Sequence, residues 1–196
     1  MNVSCIIPAR NSERWIDDCL KPIRGQRLDN PIETVVVVDN SPTDRLWSWV
    51  EFHTADWPQL SYVHQAQNGG FGAACNYGFT RIHGSWTLFL NADVTVSPSA
   101  LDAILRRGTL GQVSNVGSGN EMTSINLIRL PVHTLAEQAD VSAEGYTKII
   151  TFVADRPGYD RMYVPNSRQL HASRDWTADS PVIGSLVQST RQPAWR

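Results

Sequence analysis

Five β-branched residues in a row, Thr34-Val35-Val36-Val37-Val38, run without a break into the cluster Asp39-Asn40-Ser41-Pro42-Thr43-Asp44. Branching at Cβ suits a pleated sheet and stiffens a helix, and an Asp/Asn/Ser/Pro cluster ends regular structure, so this is the clearest strand of the chain. The segments around it alternate. Val3-Ser4-Cys5-Ile6-Ile7 is a short apolar run stopped by Pro8, which suits a buried parallel strand. Asn11 and Ser12 offer N-caps and Glu13 a first-turn charge for a helix carrying Trp15, Ile16, Cys19, Leu20 and Ile23. Pro22 is expected to kink or shorten that helix.

The pattern continues with a helix over 46–52, a strand over 60–64 and a glycine-rich turn at 68–74 that leads into a helix through Phe79. A fourth strand covers 86–90 and ends at Asn91-Ala92-Asp93. Ser97-Pro98 then opens a helix over 100–106, with proline at its favoured first position. Strand and helix in this order predict an α/β fold built on a doubly wound, mostly parallel, Rossmann-like sheet. The rhythm loses its regularity near Gly108, so two regions are expected, 1–108 and 109–196. In the second, a helix is expected over 123–137 with Pro131 interrupting it, then a strand over 148–153 and the loop Ala154-Asp155-Arg156-Pro157-Gly158-Tyr159-Asp160.

Composition narrows the function classes. Lys and Arg number 17 against 19 Asp and Glu, a net charge of −2, which leaves no electrostatic footprint for nucleic acid or an anionic membrane. Cys5, Cys19 and Cys75 show neither metal-ligand spacing nor a C-x-x-C pair, and read as buried free thiols in a reducing compartment. There is no signal-peptide pattern at the start and no apolar run approaching the roughly 20 residues that span a bilayer. A cytoplasmic protein is expected, one able to visit a membrane surface where a lipid-linked acceptor lies.

In a parallel α/β sheet, ligands bind beyond the carboxyl ends of the strands. Three polar clusters fall there: Pro8-Ala9-Arg10-Asn11 after the first strand, Asp39-Asn40-Ser41 after the second, and Asn91-Ala92-Asp93 after the fourth. The loop Asn68-Gly69-Gly70-Phe71-Gly72 opens a helix beside them. Such a set suits a nucleoside diphosphate. An aspartate accepts a base N–H or a ribose hydroxyl, small residues admit the backbone closely, and a divalent cation bridges a carboxylate to the phosphates. Each cluster taken alone also reads as an ordinary turn or helix entry.

The strings VSCIIPARN at 3–11, VVVVDNSPTD at 35–44, NGGFGAACNYGF at 68–79 and LFLNADV at 88–94 resemble, in order and spacing, the inverting GT-A glycosyltransferases. The likeness is strongest to the branch of rhamnosyltransferases and covers residues 2–106. It implies that Asp39 contacts the nucleobase of a dTDP- or UDP-linked sugar, with Pro8, Ala9, Arg10, Asn68, Gly72 and Asn91 around the nucleotide. It also implies that Asp93 holds Mg²⁺ or Mn²⁺ on the diphosphate. Position 91 is Asn where the family's Asp-x-Asp element has its first aspartate, which leaves Asp93 as the main carboxylate. The acceptor would be a glycan or a lipid-linked sugar, in the making of cell-surface polysaccharide.

An inverting transferase also needs a general base for the acceptor hydroxyl. No counterpart is recognisable beyond residue 108, where Glu121, Glu137 and Glu144 read as solvated surface. That region instead resembles the C-terminal part of dTDP-glucose 4,6-dehydratases, which are extended short-chain dehydrogenases, through QVSNVGSGNEMT at 112–123, SINLI at 124–128 and KIITFVADRPGYDRMY at 148–163. The match spans 110–180 and implies that Asp155 and Arg156 help hold a dTDP-sugar. Tyr159 replaces the family's histidine. There is no N-terminal glycine turn for NAD and no Tyr-x-x-x-Lys pair: Tyr77 is followed four places on by Arg81, and Tyr159 by Tyr163. NAD and hydride chemistry are therefore not expected. Two partial regions of sugar-nucleotide enzymes joined near residue 108 is the expectation, with a dTDP-glucose 4,6-dehydratase-like fragment of the NAD-using oxidoreductase/lyase class, or a non-catalytic fusion fragment, as the alternatives.

Overall fold

The computed structural model describes residues 2–29, 32–98, 100–116, 122–154 and 162–163. The chain divides into two compact units, Met1–Gly111 and Gln112–Arg196.

The first unit is an α/β layer structure. Strands β1 (Val3–Ala9), β2 (Thr34–Asp39), β3 (Leu60–His64) and β4 (Trp86–Phe89) form one sheet in the order β3-β2-β1-β4, and every pair in it is parallel. Helices α1 (Ile16–Arg24), α2 (Arg45–Thr54), α3 (Gly70–Phe79) and α4 (Ala100–Arg107) connect or follow the strands. The sheet is buried on both faces, which is why β2 can be apolar throughout. Val35 and Val37 lie on one side with Cys5, Ile7, Ile16, Leu20, Ile23, Leu46 and Val50. Val36 and Val38 lie on the other with Ile6 and Ala74.

That second face is covered at close range. A Cβ added at Gly78 of α3 would stand 2.5 Å from Ile6 Cγ2 and 3.2 Å from Val38 Cγ2. Both partners are β-branched and fully buried, so neither methyl can swing aside. Gly78→Ala is expected to destabilise the chain by about 1–2 kcal/mol. Overpacking costs about 1–3 kcal/mol and the better helix propensity of Ala returns at most about 1. A lower urea midpoint at unchanged m-value is the readout; an unchanged or higher midpoint would show that α3 can lift off without cost.

One local expectation is corrected. Neither Asn11 nor Ser12 caps α1 through its side chain. The Ser12 hydroxyl is taken by the backbone of Arg10, and the helix is entered through a turn in which the Ser12 carbonyl accepts from Trp15 and Ile16 N–H, both at 2.9 Å. Pro22 does not end α1, which runs on to Arg24. A proline there deprives the carbonyl four residues back, Asp18, of its helical donor. The Thr95 hydroxyl donates to that carbonyl at 3.4 Å.

In the second unit, β5 (Met122–Thr123) pairs antiparallel with β6 (Met162–Tyr163), and helices α5 (Ser124–Gln138) and α6 (Ala143–Thr147) lie between them in sequence. Thr123 caps α5 by accepting from Asn126 N–H, and Ser142 caps α6 by accepting from Glu144 N–H. Pro131 sits inside α5 without breaking it. The strand expected over 148–153 does not form. Ile149 and Ile150 N–H instead bond back to Tyr146 and Thr147, prolonging the turn of α6, and no strand lies beside this run among the described residues. Phe152 and Val153 are left more than four-fifths exposed. No described helix is long and apolar enough to cross a membrane.

Candidate nucleotide site

The carboxyl edge of the sheet gathers the first-unit residues singled out from the sequence. Ala9 and Asp39 are register partners at the ends of β1 and β2, and Asp39 is in turn the partner of His64 at the end of β3. The order β3-β2-β1-β4 reverses direction between β1 and β4, and a crevice opens at such a switch point. β1 is not stopped by Pro8 but runs on through Pro8 and Ala9 to end there, Arg10 follows it, and Asn91-Ala92-Asp93 follows β4.

Asp39 is wholly enclosed, at 0% exposure. Its Oδ1 accepts from the Ser41 N–H at 2.9 Å and from the Ser41 hydroxyl, and its Oδ2 accepts from the Tyr62 hydroxyl at 2.8 Å. Ser41 is itself locked. Its hydroxyl oxygen accepts from Asn11 N–H at 2.7 Å, and its carbonyl lies 3.0 Å from His64 Nε2. Asn11 reaches it through a left-handed backbone, φ +50°, a conformation that asparagine tolerates better than most residues. The loops after β1, β2 and β3 are thus tied together around one carboxylate. Beside it, Asn40 Oδ1 is buried with no hydrogen-bond partner among the described residues. Burial raises the Tyr62 phenol above its ordinary range, and its bond to Asp39 adds to this.

The turn after β4 presents its polar residues because the residue between them is sequestered. Ala92 is buried against the core while Asn91 and Asp93 are exposed. Val94 N–H donates to the Asn91 carbonyl at 3.1 Å, closing the turn. The Cys19 thiol contacts that same carbonyl at 3.6 Å from the α1 side. Burial, and then the nearby Asp93 charge, push the Cys19 thiol up to about 12. Among the described residues no group of three or more His, Cys, Asp or Glu is poised to hold a metal. A lone exposed carboxylate nevertheless fits a cation held mostly by substrate phosphates, which is how Mg²⁺ is commonly bound.

The glycine loop enters α3 through Gly69 and Gly70, the latter at φ +84°. Asn68 Oδ1 accepts from Gly70 N–H at 3.0 Å, and a Cβ at Gly72 would meet nothing within 4 Å. Asn68, Gly72 and Arg10 are all exposed. With the Gly70 N–H taken by Asn68, the open backbone at Gly72 is what the first turn of α3 offers, and helix N-terminal N–H groups are the usual anchor for a phosphate. Asp155 and Arg156 lie outside the described residues, as does Glu121; Glu137 and Glu144 are exposed. Tyr62 and His64 were not foreseen as site residues. The i, i+2 spacing of Tyr62 and His64 on a strand was the available signal, because it puts both on one face.

The sequence model of a family described as Glycosyl transferase family 2 matches residues 4–123. The chain is 31% identical over 117 residues to the uncharacterized glycosyltransferase EpsJ of Bacillus subtilis (strain 168), a match covering 60% of this chain and 33% of that protein. Over a different segment it is 35% identical across 79 residues to a probable dTDP-glucose 4,6-dehydratase of Sinorhizobium fredii, covering 40% of this chain and 22% of that protein. Among solved structures, S. aureus TarS 1-349 in complex with UDP superposes with a TM-score of 0.47 at 25% identity, covering 63% of this chain and 40% of that one. The chain thus spans about a third of the length of the glycosyltransferase it matches and about a fifth of the dehydratase.

Proposed function

This chain belongs to glycosyl transferase family 2, and from that premise we propose that its first unit, taken as residues 1–108, binds a nucleotide-activated sugar at the carboxyl edge of the sheet. The observation that carries the reading is the Asp39 carboxylate, held by Ser41 and Tyr62 where the loops after three strands meet. An aspartate fixed in this way accepts a base N–H. Uracil and thymine each offer one such donor, so the proposed donors are UDP- or dTDP-linked sugars. The Asn40 Oδ1 beside it is a second acceptor, and an unsatisfied buried acceptor costs about 1–3 kcal/mol that a ligand donor relieves. Arg10 and the first turn of α3 behind Asn68 and Gly72 take the diphosphate.

Asp93, with Asn91 beside it, is the proposed holder of Mg²⁺ or Mn²⁺, which when bound would neutralise charge on the diphosphate. A dTDP-rhamnose-like donor, a glycan or lipid-linked acceptor, and a cytoplasmic site of action complete the reading. The region 109–196 is proposed as a dehydratase-like segment in which Asp155 and Arg156 contact a dTDP-sugar. The reading is one of binding. Transfer would need in addition a base for the acceptor.

Calorimetric titration of UDP and dTDP, each with and without Mg²⁺ or Mn²⁺, tests it. Binding is expected to strengthen with metal. Asp93→Ala is expected to erase the metal-dependent increment, weakening binding in metal by about tenfold or more, the equivalent of about 1.4 kcal/mol, while leaving metal-free affinity unchanged. No heat of binding with either nucleotide under any condition would end the proposal. An unchanged metal increment in Asp93→Ala would remove Asp93 from it.

A further inference from the structure

The carboxylate assigned to base recognition is closed. Asp39 has no exposed surface, and an aspartate has room for about four hydrogen bonds, of which three are taken. The obstacle to an incoming N–H is therefore burial rather than a shortage of lone pairs. Ser41 cannot yield, being 1% exposed and fastened by Asn11 and His64. Tyr62 can. It is half-buried at the solvent side, and its ring rests at 48° and 5.1 Å against Trp47, which is itself 39% exposed. Its hydroxyl is the one donor on Asp39 Oδ2 among the described residues, and it occupies that oxygen as a base N–H would.

We propose that Tyr62 is a displaceable positioning residue: its hydroxyl holds Asp39 Oδ2 in the free protein, and a nucleobase N–H replaces it on binding while the phenol swings out along Trp47. This rests on the nucleotide-binding reading above. The exchange conserves the number of hydrogen bonds on Asp39, so affinity comes from the rest of the nucleotide and discrimination from the N–H. A base without that donor has nothing to give Oδ2 in exchange, so the phenol stays on it and the nucleotide binds without the exchange.

The consequence is a pair of opposed effects that a purely structural tyrosine does not produce. Tyr62→Phe removes a bond from the free state alone. It is expected to lower the melting temperature yet tighten UDP and dTDP binding by about fivefold, the equivalent of one net hydrogen bond. The gain is expected to vanish with N3-methyl-UDP, which has no N–H to place on Asp39. In the wild-type full chain, UDP binding is expected to shift the tyrosine absorption edge to the blue as a phenol leaves its carboxylate acceptor; this measurement does not depend on the variant folding. Wild-type binding with equal or weaker binding by Tyr62→Phe overturns the exchange, and so does an equal gain with N3-methyl-UDP. An unshifted tyrosine edge on saturation with UDP also overturns it. If neither protein binds any nucleotide, the parent reading has failed together with the exchange, an outcome distinct from the first three.

Discussion

Asp39→Asn will leave the first unit folded and remove nucleotide binding. The amide keeps one oxygen, which continues to accept from the Ser41 N–H and hydroxyl. The other position becomes an NH₂ facing the Tyr62 oxygen, and a phenol that donated before can rotate its proton and accept instead. The enclosed cluster therefore stays satisfied. The base N–H, by contrast, now meets a donor and finds no acceptor. A site built to hydrogen-bond a group discriminates by orders of magnitude when one side of the pair is lost, because a buried polar atom is left unpaired. A loss of about 100-fold or more in UDP and dTDP affinity is expected, with the melting temperature within a few degrees of wild type.

Asp39→Ala will show the other half of the same argument. It leaves the Ser41 N–H, the Ser41 hydroxyl and the Tyr62 hydroxyl facing an apolar methyl in a space with no solvent. Each donor left unpaired in a buried space costs about 1–3 kcal/mol, so a loss of several kcal/mol in stability is expected. Nucleotide binding and stability should then fall together, where Asn separates them. Equal binding by wild type and Asp39→Asn would show that Asp39 is a structural knot in the loops and not the base-recognition residue.

The contrast between the two substitutions marks how far the sequence alone could lead. The sheet was legible because Thr34–Val38 and Val3–Ile7 are short, nearly continuous apolar runs, β-branched and closed by turn signals, a pattern that suits a doubly covered parallel strand. The carboxyl-edge residues followed from it, because topology places the ends of parallel strands together whatever their neighbours do. The enclosure of Asp39 was not legible. It depends on the register that sets Tyr62 beside Val37, two residues below Asp39 on the same face, so that a side chain as long as tyrosine reaches the carboxylate. It depends also on the left-handed Asn11, which turns its N–H toward Ser41. Neither leaves a mark in composition or periodicity. The failed strand at 148–153 is the converse case. Its residues have strong β-propensity, but propensity alone does not make a strand. It needs a neighbour to complete its hydrogen bonds, and none stands beside it among the described residues.

Stability is expected to fall steeply above pH 9 through the buried thiols. Cys19 is raised from an ordinary 9.0 to about 12, chiefly by burial and then by Asp93. Cys5 is raised further still, by burial first and then by Cys19. In the unfolded chain both thiols lose their protons as pH passes about 9, whereas in the folded chain they keep them. Their contribution is therefore fully present below pH 9 and drains away as pH climbs toward the folded values, at about 1.4 kcal/mol per pH unit for each thiol. For Cys19 alone this amounts to roughly 2–3 kcal/mol by about pH 11. Urea denaturation under reducing conditions at a series of pH values measures it. The difference between wild type and Cys19→Ala isolates the thiol, since lysines and tyrosines titrate alike in both. Parallel curves would mean that Cys19 ionises as readily folded as unfolded. Curves that converge as pH rises would show that the folded chain holds the Cys19 proton while the unfolded chain releases it.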